Sequence, residues 1–345
     1  MKKMLALLLA LVMVLSLAAC ASSQPAAAST ETAETTETTE PAAEESAEAP
    51  AESGKTYTVG VCQLVQHEAL DAATQGFIDA LKEELGDAVT VDVQNASGDS
   101  VNCGTIVNGF VSKGVDLIMA NATPALTAAV SATADIPILG TSITAYGVAL
   151  DIDDFNGTVG GNVSGTSDLA DLQAQAQMIL DWFPETKTVG LLFCSAEPNS
   201  RYQIDEVRKA LEAQGVTCEE FAFTDSNDVS SVTQKAADFS DVVYLPTDNT
   251  AASNTEAIAN VLIPAGVPAI CGEEGLCRGC GVATLSISYY DLGVTTGKMA
   301  AKILKGEADI STMPVEYTDA TPKYNASVCE QLGITPLDGY EAIDG

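Results

Sequence analysis

The chain has 345 residues, 15 basic and 48 acidic side chains and a formal net charge of −33. That length exceeds what one hydrophobic core usually organises, so two domains are expected. A field of this sign repels nucleic acid, anionic lipid and polyanionic substrates. The only arginines, Arg201, Arg208 and Arg278, form no basic patch, which also disfavours a phosphorylated or dicarboxylate ligand.

The chain begins with Lys2 and Lys3, an apolar run from Met4 to Val14, and then Leu17-Ala18-Ala19-Cys20. The run is shorter than the roughly 20 residues of a membrane span, and with its basic start and small-residue end it reads as a secretory signal over 1–20. The Leu-Ala-Ala-Cys ending resembles a bacterial lipobox, which implies lipidation of Cys20 and anchoring to the outer face of the cytoplasmic membrane. Residues 21–55 contain Ser, Thr, Ala, Pro and Glu with almost no large apolar side chain, and are expected to be a disordered, self-repelling acidic tether. The remaining chain carries 12 basic and 40 acidic side chains, a net −28.

From Tyr57 onward, apolar strand-like runs alternate with helix-like ones. Tyr57–Leu64 is strand-like, and Leu70, Ala73, Phe77, Leu81 and Leu85 recur at spacings of three and four that mark one helical face. Val89–Val93 is a second strand and Val101–Val111 a second helix. Val115–Ala120 is apolar nearly throughout, as a parallel strand covered on both faces would be. Thr123 is a good helix N-cap and Pro124 suits the first helical position, so a third helix is expected to about Ala134. Ile136–Leu139 is the fourth strand, with Gly140–Thr144 as a loop at its end.

Gly160–Asp168, GGNVSGTSD, is rich in residues suited to an extended crossing, and the alternation restarts after it. Helix (Leu169–Phe183), strand (Val189–Cys194), helix to Gln214, strand (Cys218–Phe223), helix (Val229–Phe239), strand (Asp241–Leu245), helix to Leu262 and strand (Val267–Cys271) follow. Ala283–Ser288 reads as a second crossing, Tyr290–Leu304 as a helix and Pro314–Tyr317 as a third crossing. The fold expected is α/β, with two doubly wound parallel-sheet lobes joined by a three-strand hinge. The lobes are expected at 56–161 with 287–312, and 162–286 with 313–345.

Open parallel sheets bind ligands beyond the carboxyl ends of their strands. Six loops are thereby gathered at one cleft: Leu64–Glu68, Asn121–Pro124, Gly140–Thr144, Ser195–Ser200, Pro246–Thr250 and Gly272–Gly275. The Thr123-Pro124-Ala125 helix start and the Thr141, Ser142 and Thr144 hydroxyls suit a single carboxylate. Opposite them, Glu197, Asp248 and Glu273 suit a cationic group, so a zwitterion such as a free amino acid fits. His67, Asn199, Ser200 and Asn249 complete the candidate set, and Tyr146, Tyr202, Tyr244 and Tyr289 are candidates for stacking on an aromatic ligand.

Enzymatic readings fare poorly. His67 is the single histidine, no nucleophile-elbow or phosphate-cradling glycine motif occurs, and Asp151, Asp153 and Asp154 lack a calcium-loop pattern. No cofactor and no metal is expected. Beyond Cys20 there are eight cysteines. Buried or loop thiols, a disulfide such as Cys277–Cys280, and a metal site on Cys271-x5-Cys277-x2-Cys280 all remain open readings, the last without an evident fourth ligand.

Several segments, in this order, resemble the substrate-binding lipoproteins of bacterial ABC importers, in the branch that includes tryptophan and tyrosine binders. They are His67-Glu68-Ala69-Leu70-Asp71 with Gly76-Phe77, Ala122-Thr123-Pro124-Ala125, Gly161-Asn162-Val163-Ser164-Gly165, Glu197-Pro198-Asn199-Ser200, Pro246-Thr247-Asp248-Asn249 and Tyr289-Tyr290-Asp291-Leu292-Gly293. The resemblance spans about Tyr57–Pro336. It implies a monomeric, bilobed receptor of the type I periplasmic-binding fold that closes on a solute and delivers it to a permease and ATPase. Where the family pattern has Asp-Pro after the fourth strand, this chain has Thr144-Ala145-Tyr146. Sugar or nucleoside receptors of the same architecture, and an extracellular enzyme, are the alternatives.

Overall fold

A computed structural model of the chain describes residues 55–343. The expected signal and tether, including Cys20, lie outside the described residues, except Lys55. The first half runs β1 (Tyr57–Gln63), α1 (Glu68–Leu85), β2 (Val89–Asn95), α2 (Ser100–Lys113), β3 (Leu117–Asn121), α3 (Thr123–Ala132), β4 (Ile138–Ile143), the single turn α4 (Tyr146–Ala149) and β5 (Val163–Ser167). The second repeats the plan with α5 (Leu172–Trp182), β6 (Thr188–Cys194), α6 (Pro198–Glu212), β7 (Thr217–Phe223), α7 (Val229–Phe239), β8 (Val242–Leu245), α8 (Asn249–Ala252), α9 (Thr255–Ala265), β9 (Ala269–Cys271), α10 (Glu274–Cys280) and β10 (Ala283–Ile287). The chain ends with α11 (Tyr289–Lys305), β11 (Glu316–Tyr317), β12 (Ala320–Tyr324), α12 (Ala326–Leu332) and β13 (Glu341–Ala342).

Two sheets result. One has six strands in the order β11-β5-β4-β3-β1-β2, all parallel. The other has seven, β13-β12-β10-β9-β8-β6-β7, parallel except where β12 runs against β10. Leaving out the late-added edge strands, each half has its strands in the spatial order second, first, third, fourth, fifth, the doubly wound pattern whose crevice lies beside the first strand. Alternate residues explain why both faces are covered. In β1 and β3, Val59, Val61, Leu117 and Met119 pack with α1 and α11, while Cys62, Ile118 and Ala120 pack with α2 and α3. That is why β3 is buried throughout and reads as a continuous apolar run.

The crossings lie later than their composition suggests. Val163–Ser167, expected as part of the first hinge strand, is a fully buried strand of the first sheet. Gly165 explains its small-residue character: at φ +145° it passes so close to β4 that a Cβ would stand 2.0 Å from the Gly140 carbonyl oxygen. The chain therefore leaves the first sheet at Asp168, and the first boundary moves from 161/162 to 167/168. Ala283–Ile287 likewise belongs to the second sheet, and Glu316–Tyr317 pairs with β5 in the first. The three connections between lobes are thus residues 168–171, Ser288 and residues 318–319.

Three smaller differences have local causes. Thr123 is not the cap of α3: Ala122 occupies that position at φ +89°, placing Thr123 and Pro124 in the first turn. Gly140–Thr144 is mostly strand, since β4 continues to Ile143. The expected helix to Leu262 is broken at Ser253-Asn254 into α8 and α9.

In the first lobe, α1 and α11 meet backbone to backbone. A Cβ on Gly76 would lie 2.1 Å from the Tyr290 carbonyl oxygen, and one on Gly293 would lie 2.0 Å from that of Ala73. The Thr141, Thr166 and Thr296 hydroxyls, 2.8–3.1 Å apart, tie β4 and β5 to the same helix.

Candidate functional site

A small chamber lies where the strand ends of the two lobes face each other. The first lobe contributes His67 and Leu70 from the segment after β1, Ser142 and Thr144 from β4 and its end, Asp168 after β5, and Tyr289 at the start of α11. The second contributes Asn199 after β6, Thr247, Asp248, Asn249 and Ala252 after β8, and Glu273 after β9. Of the residues expected to form the site, His67, Ser142, Thr144, Asn199, Asp248, Asn249 and Glu273 meet here.

The others have different places. Pro124 and Glu197 line an outer groove of ≈ 450 Å³ between the same lobes, together with Leu64, Val65 and Ala196. Thr123 and Ala125 are buried away from the chamber, so the helix start does not reach it. Thr141 is committed to the threonine cluster. Ser200 stands behind Asp248 as one of its hydrogen-bond donors. Of the four candidate stacking rings, Tyr146 and Tyr244 are core residues, with their hydroxyls on the Thr166 carbonyl and Gln175. Tyr202 packs at the edge of the second core, and Tyr289 alone lines the chamber.

The acidic groups divide by what already binds them. Glu197, expected to accept from a cation, is a brace: Oε1 accepts from the Thr250 backbone and hydroxyl, and Oε2 from the Asn249 backbone and side chain and from Asn199 Nδ2. Asp248 starts α8, with Oδ1 accepting from Ala251 N at 2.8 Å and Oδ2 from Cys194 N at 2.6 Å. Burial, with the Glu197 charge second, pushes its pKa up to about 7. Glu273 starts α10, accepting from Gly275 N and Leu276 N, and burial pushes it up to about 7.

Asp168, which sequence reasoning passed over as a site residue, is different. Its Oδ2 accepts from the Tyr289 hydroxyl at 2.8 Å, and its Oδ1 has no hydrogen-bond partner although the residue is only 5% exposed. Burial raises its pKa above the usual carboxylate range, and the Tyr289 and Thr144 hydroxyls pull the other way. Asn199 Oδ1 and Ser142 Oγ are likewise buried without partners. Three orphaned polar atoms among the lining residues of one chamber is the pattern left for a ligand, since buried polar groups are otherwise paired. Ser142 adds a second sign of function. At φ +55° it sits in the left-handed region at a strand end, where strain is tolerated only if the surroundings enforce it.

The lobes are closed on one another. His67 Nε2 lies 3.2 Å from Asn249 Oδ1 across the cleft, and Asn249 lines both the chamber and the outer groove. Burial lowers the His67 pKa, so the ring is neutral at pH 7. On another side Arg278 pairs with Glu68 of the first lobe and Glu274 of its own, and Lys323 reaches Glu274 at 2.6 Å. As closed here, the chamber has ≈ 10 Å³ of free volume, room for about one water, so a solute has to enter while the lobes stand further apart.

The eight described cysteines are free thiols, all buried except the half-buried Cys218. Among the described residues no cluster of His, Cys, Asp and Glu has a metal-holding arrangement, and no helix is long and apolar enough to cross a membrane.

Residues 58–339 match the family described as ABC transporter substrate binding protein. The tyrosine-binding protein of Clostridioides difficile is 33% identical over 276 residues, 78% of this chain and 79% of that one. A Streptococcus pneumoniae ABC domain in complex with L-Trp is 32% identical with a TM-score of 0.79, covering 84% of this chain and all of that one. A ligand-free, open substrate binding protein of Clostridium difficile, also 32% identical, covers 84% of this chain and 99% of that one but has a TM-score of 0.64. At equal identity the better superposition on the L-Trp complex accords with the closed lobes described above. The chain is a type I periplasmic-binding fold and belongs to the family of ABC transporter substrate binding proteins.

Proposed function

We propose that this receptor captures a free amino acid with an uncharged, aromatic side chain and delivers it to its ABC permease and ATPase without altering it chemically. The observation that carries the reading is the pair of unpartnered acceptors, Asp168 Oδ1 and Asn199 Oδ1, in a chamber that also holds Asp248 and Glu273. An α-ammonium group supplies the donors and the positive charge that these buried groups lack. The Ser142 hydroxyl, buried without a partner, is a donor available to its carboxylate. The outer groove, with Leu64, Val65, Pro124 and Ala196, offers a side chain the room the chamber lacks once the His67–Asn249 contact yields. The tyrosine and tryptophan named for the relatives favour an aromatic side chain.

Capture follows from the two-lobe geometry. Contacts to both lobes favour the closed state by the difference in ligand affinity between closed and open forms, and the permease reads the closed surface. We assign residues 1–20 to a secretory signal, Cys20 to the lipid anchor and residues 21–55 to a tether that holds a monomeric receptor off the outer face of the membrane. Calorimetry against the twenty amino acids, with a hexose and a nucleoside as controls, tests the ligand class. Heat on titrating tyrosine or tryptophan is expected, and binding of the sugar or nucleoside alone would overturn the reading.

A further inference from the structure

The chamber treats the two charges of an amino acid unequally. Towards an ammonium it offers two unpartnered acceptors, Asp168 Oδ1 and Asn199 Oδ1, with the Asp248 and Glu273 carboxylates nearby, their oxygens already accepting from backbone N–H groups. Its side-chain donors for a carboxylate are neutral and few: the Ser142 hydroxyl, which has no partner, and that of Thr144, which also faces Asp168. No lysine or arginine lines it, and burial keeps His67 neutral. The start of α3 brings only Pro124 to the cleft, in the outer groove. Arg278, outside the chamber, is committed to Glu68 and Glu274.

We infer that the affinity of this site resides in the ligand's ammonium group, and that its ligands include arylalkyl primary amines with no carboxylate. The inference rests on the amino-acid reading above and narrows what that site recognises. A decarboxylated ligand removes a negative charge that would otherwise lie beside three buried carboxylates. What it forfeits is hydrogen bonding from neutral hydroxyls to a charged group, a loss that the relief of this repulsion offsets. An N-acylated amino acid makes the opposite exchange: it keeps the carboxylate and loses the cation and two of its three N–H donors, leaving at least one of Asp168 and Asn199 unpaired in a closed chamber.

The test is calorimetry on the whole protein at pH 8 with L-tyrosine, tyramine and N-acetyl-L-tyrosine, and with the matching tryptophan series. Tyramine or tryptamine is expected to bind within about tenfold of its parent amino acid and to compete with it, whereas N-acetylation weakens binding by about a hundredfold. Tight binding of tyrosine or tryptophan with no measurable binding of the amines overturns the inference and leaves the amino-acid reading standing. N-acetylated ligands binding as well as their parents also overturn it. Amines that bind where the amino acids do not support the inference and overturn the amino-acid reading, and a full set of negatives overturns both.

Discussion

Replacing Asp168 by Asn separates a ligand-binding role from a structural one, because the two predict opposite changes in stability. Asn keeps the shape and an acceptor for the Tyr289 hydroxyl at 2.8 Å, and removes the charge from the oxygen that has no partner. A hydrogen bond to a charged group contributes about 1.5–3 kcal/mol, so affinity for the aromatic amino acid should fall by about 10–150-fold. In the ligand-free protein the same carboxylate is buried and its pKa is raised. Its stabilising contribution is therefore present at low pH and lost as pH rises through the folded value, above which the ionised group opposes folding. At pH 8 the Asn variant should melt at least as high as the parent, by about 2 °C if roughly 1 kcal/mol of burial cost is relieved, and the two should converge as pH falls below the ordinary carboxylate value of about 4. Calorimetric titration with thermal melts at both pH values reads this out. An Asn variant that binds within twofold of the parent, or loses affinity and stability together at pH 8, would refute the assignment.

Asp248 and Glu273, each near pKa 7 in the closed chamber, have to ionise to face an ammonium, so affinity should fall by up to about tenfold per pH unit for each group below pH 7. A flat calorimetric profile from pH 8.5 to 5.5 would contradict this. Because these folded pKa values are raised, the stability they add to the ligand-free protein is present below the ordinary carboxylate range and lost as pH rises through about 7. Asp248→Ala should weaken binding and also cost about 2 kcal/mol, since Cys194 N and Ala251 N lose their acceptor; denaturant unfolding with and without ligand separates the two effects. Arg278→Ala removes the pair with Glu68 across the cleft, and because both side chains are partly exposed the release rate should rise only about two- to fivefold in stopped-flow fluorescence, with melting nearly unchanged. Thiol titration of the native body should find Cys218 reacting first and the seven buried thiols reacting only on unfolding.

The architecture was legible because each buried parallel strand is an unbroken apolar run and each helix keeps a three-four spacing. What composition hid was the membership of β5. Gly, Ser and Thr there look like a hinge, yet Gly165 is required by the close approach of β4, and Ser164 and Thr166 are spent on buried hydrogen bonds. The chamber was legible where a helix start or strand end carried a polar side chain, as at Ser142, Asn199, Asp248 and Glu273. It misled where such a residue was already occupied: Glu197 by five donors, Thr141 by two other threonines. Asp168 was hidden because a single Asp after a polar strand carries no spacing signal. Only its position at the first departure from the sheet, beside Tyr289 from a segment 121 residues away, brings it into the chamber.

The backbone contact between α1 and α11 has a practical consequence. With backbone against backbone at Gly76 and Gly293, the two helices have little freedom to slide or tilt, so the first lobe should turn as one piece and leave rotation to residues 168–171, Ser288 and residues 318–319. A dye on the exposed Val101 and another on the exposed Glu256 of the opposite lobe would then report occupancy as a distance change. That makes the chain a direct scaffold for an optical sensor.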